Sequence, residues 1–142
     1  MADNDFKNLY LSMYDKDSRI IITPWDMDLT WGLKWNDFND IHSIFSINDS
    51  QNRNWLDDSL FVDENDYTMV LIKKRYWELR KKVITMDTIN SYLNSYEELL
   101  INSGAAERDS EKWYQYDVQY EIENIREWAN HRINFLDEYF SN

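Results

Sequence analysis

Pro24 and Gly32 bracket nine residues, Pro-Trp-Asp-Met-Asp-Leu-Thr-Trp-Gly, that hold the only proline of the chain and one of its two glycines. No other stretch restricts the backbone so tightly, since proline fixes φ and lacks a donor while glycine opens conformations closed to other residues. The apolar run Ile20-Ile21-Ile22 leads into it. Asp26 and Asp28 sit there among indoles, where a purely structural loop would be served as well by Asn or Ser. Alternate residues of an extended segment share a face, so Asp26 and Asp28 are expected to point the same way, with Trp25, Met27 and Leu29 anchoring the other side. Two oxygens beside a dry wall suit a hard cation such as magnesium. The same residues also suit a hairpin end whose aspartates cap backbone amides while the indoles fill a core. The residues alone do not choose between the two.

The segment before it reads as a β-hairpin. Strands are expected over about 9–14 and 19–23, joined by the turn formers Asp15-Lys16-Asp17-Ser18, with Pro24 ending the pairing for want of a donor. From 33 to 66 the chain is rich in Asn, Asp and Ser and poor in periodicity, which predicts a long loop with one or two helical turns. Beyond it the period becomes helical. Met69, Ile72, Tyr76, Leu79 and Val83 mark one stripe; Ile89, Tyr92, Leu93, Tyr96 and Leu100 mark a second, stopped at Ser103-Gly104. A short third helix is expected over 105–114. Val118, Ile122, Ile125, Ala129, Ile133, Leu136 and Phe140 hold one face of a fourth for more than six turns. All three stripes are assigned to packing.

Composition narrows the partners. With 142 residues the chain is one domain's worth, able to bury roughly 68% of its unfolded surface. Aromatic residues make up 16% of it, which sets it apart from disordered chains despite 30% charged residues. A net charge of −12 repels nucleic-acid phosphate and anionic membrane alike, so neither is an expected partner. No run has the length of a membrane span, and zero Cys removes disulfides, thiolate zinc sites and cysteine nucleophiles.

Phosphoryl transfer of the kinase type needs an aspartate to orient the acceptor hydroxyl, an asparagine to help hold a metal, and a second aspartate to bridge metal and phosphates. The first two usually stand as Asp-x-x-x-x-Asn. Asp3 and Asn8 have that spacing, just before the hairpin that leads to Asp26. Other chemistry finds less. His42 and His131 lack triad or zinc partners at useful spacing. Asp15-Lys16-Asp17 starts like a calcium loop but lacks its glycine and closing glutamate, and reads as a turn. Asn48-Asp49-Ser50 is a glycosylation sequon, relevant only to a secreted protein.

Pro24-Trp25-Asp26-x-Asp28-x-x-Trp31-Gly32 after an apolar strand resembles the signature of the CotH family, the spore-coat-protein-H type of atypical protein kinase. The resemblance runs through Asn8-Leu9-Tyr10, the hairpin, Arg75-Tyr76-Trp77-Glu78-Leu79, Lys112-Trp113 and Arg132-Ile133-Asn134-Phe135-Leu136. It implies that Asp3 is the catalytic aspartate, with Asp5 as its competitor, that Asn8 and Asp26 bind magnesium and ATP, and that Asp28 is a further metal ligand or an orienting group. It also implies a protein substrate and a spore-coat, cell-surface or secreted setting. Members of the family carry, before this region, a β-rich nucleotide-binding lobe with a phosphate-contacting lysine. Lys7 and Lys16 are in the wrong places to replace it, and the only glycines are Gly32 and Gly104. The chain is therefore expected to be a C-terminal piece of a longer protein, inactive by itself.

The expected fold is α+β, mainly α: a single domain in which a hairpin and acidic loop (1–35) dock on a helical bundle (66–142), joined by an irregular segment (36–65), like a kinase C-terminal lobe. Two functions follow. One is a C-terminal kinase lobe that contributes acidic residues to a magnesium and ATP site. The other is a non-catalytic helical module for spore-coat or cell-surface assembly, to which exposed aromatic residues would point.

Overall fold

The computed structural model describes residues 8–26, 30–32, 66–113 and 117–141. The chain divides into two compact units, Met1–Met69 and Val70–Asn142. The architecture is α+β and mainly helical, with one two-stranded antiparallel sheet and four helices among the described residues.

Strands β1 (Leu9–Ser12) and β2 (Ile21–Pro24) are shorter than the sequence suggests, because the turn region takes more residues. Asp15 organises the tip: its carboxylate accepts from the Asp17 N–H at 3.0 Å and from the Ser18 hydroxyl at 2.7 Å. Those bonds, Ser18 first, hold its carboxyl below the usual carboxylate range. Pro24 does not end the pairing; it stands opposite Leu9. The next residue, Trp25, donates its N–H to the Asn8 carbonyl at 2.8 Å. Hydrogen-bonded and non-hydrogen-bonded pairs alternate in an antiparallel ladder. With Asn8 and Trp25 a bonded pair, Leu9 and Pro24 fall in a non-bonded one, where a missing N–H costs nothing.

Helix α1 (Asp66–Arg80), which belongs to the second unit from Val70 onward, ends before Val83, which lies 54% exposed beyond the helix. The Lys82, Val83 and Ile84 amides all turn back onto the Leu79 carbonyl. Helix α2 (Met86–Asn102) starts at an N-cap, Thr85, whose hydroxyl accepts from the Thr88 N–H at 3.0 Å. It stops where Gly104 takes φ 68, the left-handed turn expected of a glycine there. Helix α3 (Ala105–Trp113) follows, and α4 (Val118–Ser141) is the longest, at 24 residues. Tyr114 lies outside the described residues. No described helix is long and apolar enough to cross a membrane.

The core is the expected face of α4: Ile122, Ala129, Ile133 and Phe140 are buried. Helix α2 packs on both α3 and α4. Arg126 of α4 ties it down, donating from Nη1 to Asn90 Oδ1 at 2.6 Å and from Nη2 to Asn94 Oδ1 at 3.2 Å. The α2 stripe is only partly a packing face: Ile89 and Leu93 are half-buried, but Tyr92, Tyr96 and Leu100 are exposed. Periodicity names an apolar face, not its cover.

Tyr76 of α1 is buried against Phe140, with ring centroids 4.7 Å apart. Its hydroxyl donates to Asp137 Oδ1 at 2.5 Å, and Arg80 grips the same carboxylate through Nε at 2.9 Å and Nη2 at 3.0 Å. Arg80 Nη1 also holds the Ile84 carbonyl at 3.0 Å, pinning the turn into α2. Burial pushes the Asp137 carboxyl up, but hydrogen bonds from Arg80 and Tyr76 outweigh it and hold the group below the usual carboxylate range. Burial, then the Asp137 carboxylate, push the Tyr76 phenol well above its ordinary value.

Candidate functional site

The bend after β2 is built from its neighbours in the hairpin. Asn8, 7% exposed, stands just ahead of β1. Its main-chain carbonyl accepts from the Trp25 N–H, and its side-chain Nδ2 donates to the Asp26 carbonyl at 3.0 Å. A buried amide thus holds both the entry and the exit of the bend. Asp26 adopts φ 52, left-handed, a region that aspartate and asparagine tolerate better than most residues with a Cβ. Its carbonyl is satisfied by Asn8, and Asp26 itself is exposed.

This geometry departs from the expected extended alternation, which fails at Asp26 because its backbone is left-handed. Trp25 does not form a dry wall either. It is 61% exposed and meets Tyr10 edge-on, with centroids 6.3 Å apart. Farther on, Thr30 is buried, while Trp31 at φ 58 and Gly32 at φ 94 form a second left-handed turn. Glycine takes that conformation without penalty; a tryptophan there is unusual, and such strain gathers at functional sites.

Of the residues predicted to form the site, Asn8 and Asp26 are brought together by a side-chain to main-chain hydrogen bond. Asp3, Asp5 and Asp28 lie outside the described residues. Among the described residues no group of three or more His, Cys, Asp or Glu side chains is arranged to hold a metal. What Asn8 and Asp26 offer is an amide oxygen, Oδ1, with its nitrogen already committed, and an exposed carboxylate. Such oxygens fit magnesium, which takes one or two protein carboxylates and completes its shell with water and phosphate. They do not fit a soft or borderline metal. His131 lies 3.7 Å from Glu127 on the surface of α4, and His42 lies outside the described residues.

Sequence reasoning missed the amide bond from Asn8 to the Asp26 carbonyl, which spans 18 positions and depends on the hairpin register. It also passed over Asp137. The signal there was available: a carboxylate four residues after Ile133 and three before Phe140 sits inside an apolar stripe and must have partners.

The model of the family described as CotH kinase protein matches residues 1–136. Neither the curated proteins nor the solved structures yield a match. The match covers nearly all 142 residues, including the hairpin, the Asp26 bend and the greater part of α4, and the chain therefore belongs to the CotH kinase protein family.

Proposed function

We propose that this chain is the C-terminal lobe of a CotH-type protein kinase, contributing the acidic half of a phosphotransfer site that works with a nucleotide-binding lobe. The single observation that carries the reading is the closure of Asn8 on the Asp26 bend, within a chain of this family. Two residues 18 positions apart, each with an oxygen suited to a hard cation, meet at the end of the hairpin.

In this reading Asp3 orients the acceptor hydroxyl and takes its proton, and Asn8 and Asp26 hold the cation, with Asp28 as a further oxygen. Magnesium bound with ATP would neutralise charge on the transferring phosphoryl group. The protein's own work is positioning. Asn8 is fixed by its burial and by its hydrogen bonds to the bend, and the Asp26 carboxylate projects from a backbone held at both ends.

The substrate class is a protein acceptor, and the isolated 142-residue chain is expected to be inactive. In a parent protein that includes the nucleotide-binding lobe, Asp26→Asn should abolish transfer of phosphate from ATP to the acceptor, measured with radiolabelled ATP. Transfer that persists removes the assignment. The second reading, an interaction module for spore-coat or cell-surface assembly, is favoured by Tyr92, Tyr96 and Leu99, which stand exposed along one face of α2. A module of that kind would keep its partner binding in the Asp26→Asn protein and would show no transfer in either form.

A further inference from the structure

Asn8 uses the two ends of its side chain differently. An asparagine that serves only as a ligand needs its oxygen alone, and its nitrogen can face anything. Here Nδ2 donates to the Asp26 carbonyl at 3.0 Å, while the Asn8 main-chain carbonyl takes the Trp25 N–H at 2.8 Å. These two bonds fix the peptide plane that enters Trp25 and the one that leaves Asp26. Between them the backbone of Asp26 sits at φ 52, a region that residues with a Cβ leave readily when nothing holds them. Asn8 can hold it because it is itself buried, with little freedom to lose.

We infer that Asn8 is a positioning residue for Asp26: its amide nitrogen locks the left-handed bend from which the Asp26 carboxylate projects. What that carboxylate is held for rests on the phosphotransfer reading; the lock itself does not. The inference separates two substitutions that a ligand role would rank otherwise. Asn8→Asp keeps the size and adds a second oxygen, so a pure ligand would be kept or improved. It removes the N–H donor and turns a carboxylate toward the Asp26 carbonyl, so a positioning residue would be lost as fully as in Asn8→Ala.

The test uses the 142-residue chain, first without metal. In the unaltered protein, NMR should detect a through-hydrogen-bond coupling from Asn8 Nδ2 to the Asp26 carbonyl carbon. In Asn8→Asp and Asn8→Ala the Asp26 Cα and carbonyl shifts should move away from left-handed values, with near-ultraviolet circular dichroism of the Tyr10 and Trp25 pair checking that the hairpin is formed. Terbium, a hard-cation probe excited through Trp25, should then bind both variants roughly 10- to 100-fold more weakly than the parent chain. No coupling in the unaltered chain overturns the inference even if the variants do not fold. So do unmoved Asp26 shifts in a folded Asn8→Asp chain that binds terbium as tightly as the parent. If the shifts move but the unaltered chain takes up no terbium, the lock stands and the phosphotransfer reading falls.

Discussion

Asp137 lies on the apolar face of α4, where a charge without partners would be costly, and it has two: the Tyr76 hydroxyl and the Arg80 guanidinium. Asp137→Ala strips the acceptor from both and should cost about 2 kcal/mol, whereas Tyr76→Phe removes one donor and should cost about 1 kcal/mol. Urea unfolding followed at the helical signal checks both, and the order matters more than the sizes. At this scale the sequence was readable where a residue's meaning is local. Asp15 and Ser18 announced a turn, and the Trp-flanked Asp26 announced a special bend. Asn8 was marked by its spacing from Asp3, but its grip on the Asp26 carbonyl was not legible, because that bond arises only once 18 residues have paired in one register. Nor was the left-handed backbone of Asp26, since aspartate is equally at home in extended and capping roles.

The helices were the most legible elements because their stripes persist over several turns. The α4 face buries Ile122, Ala129, Ile133 and Phe140 as its spacing predicts, and Ser103-Gly104 marks the end of α2. The N-cap of α2 was passed over, although Thr85 and Thr88 stand at capping distance. Replacing Thr85 by Ala frees the Thr88 N–H and should lower stability by about 1 kcal/mol, read as a shift in the urea midpoint. Gly104 shows the opposite constraint. A Cβ there would come within 3.0 Å of Arg108 Nη1, on a backbone at φ 68 that penalises any side chain. Two expectations for the helices failed for identifiable reasons. Val83 continues the period of α1, but the helix has already closed onto the Leu79 carbonyl. Tyr92 and Tyr96 continue that of α2, and an apolar period carries no information on whether a neighbour covers it.

For the whole chain, pH is the informative variable. The Asp137 carboxyl is held below its ordinary range in the folded protein, so the unfolded chain takes up that proton first. Its stabilisation is therefore present above about pH 4 and lost as pH falls through the lower folded value. Tyr76 is shifted upward, so its contribution is complete below about pH 10 and lost as pH rises beyond. Stability should show a plateau between these limbs, measured as urea midpoints across the range. Protonating other acids relieves the repulsion of a net charge of −12 and works against the acid limb, so the comparison that isolates Asp137 is with Asp137→Ala, in which that limb should flatten. The hairpin carries a different consequence, for how relatives of this chain can vary in length. Because Pro24 occupies a place in the ladder that asks for no donor, losing one residue from either strand would shift it opposite a waiting carbonyl or turn Ile21 and its neighbours over. Insertions and deletions between Asn8 and Trp25 should therefore be tolerated best at the tip around Lys16, which would keep the distance from ladder to acidic bend constant.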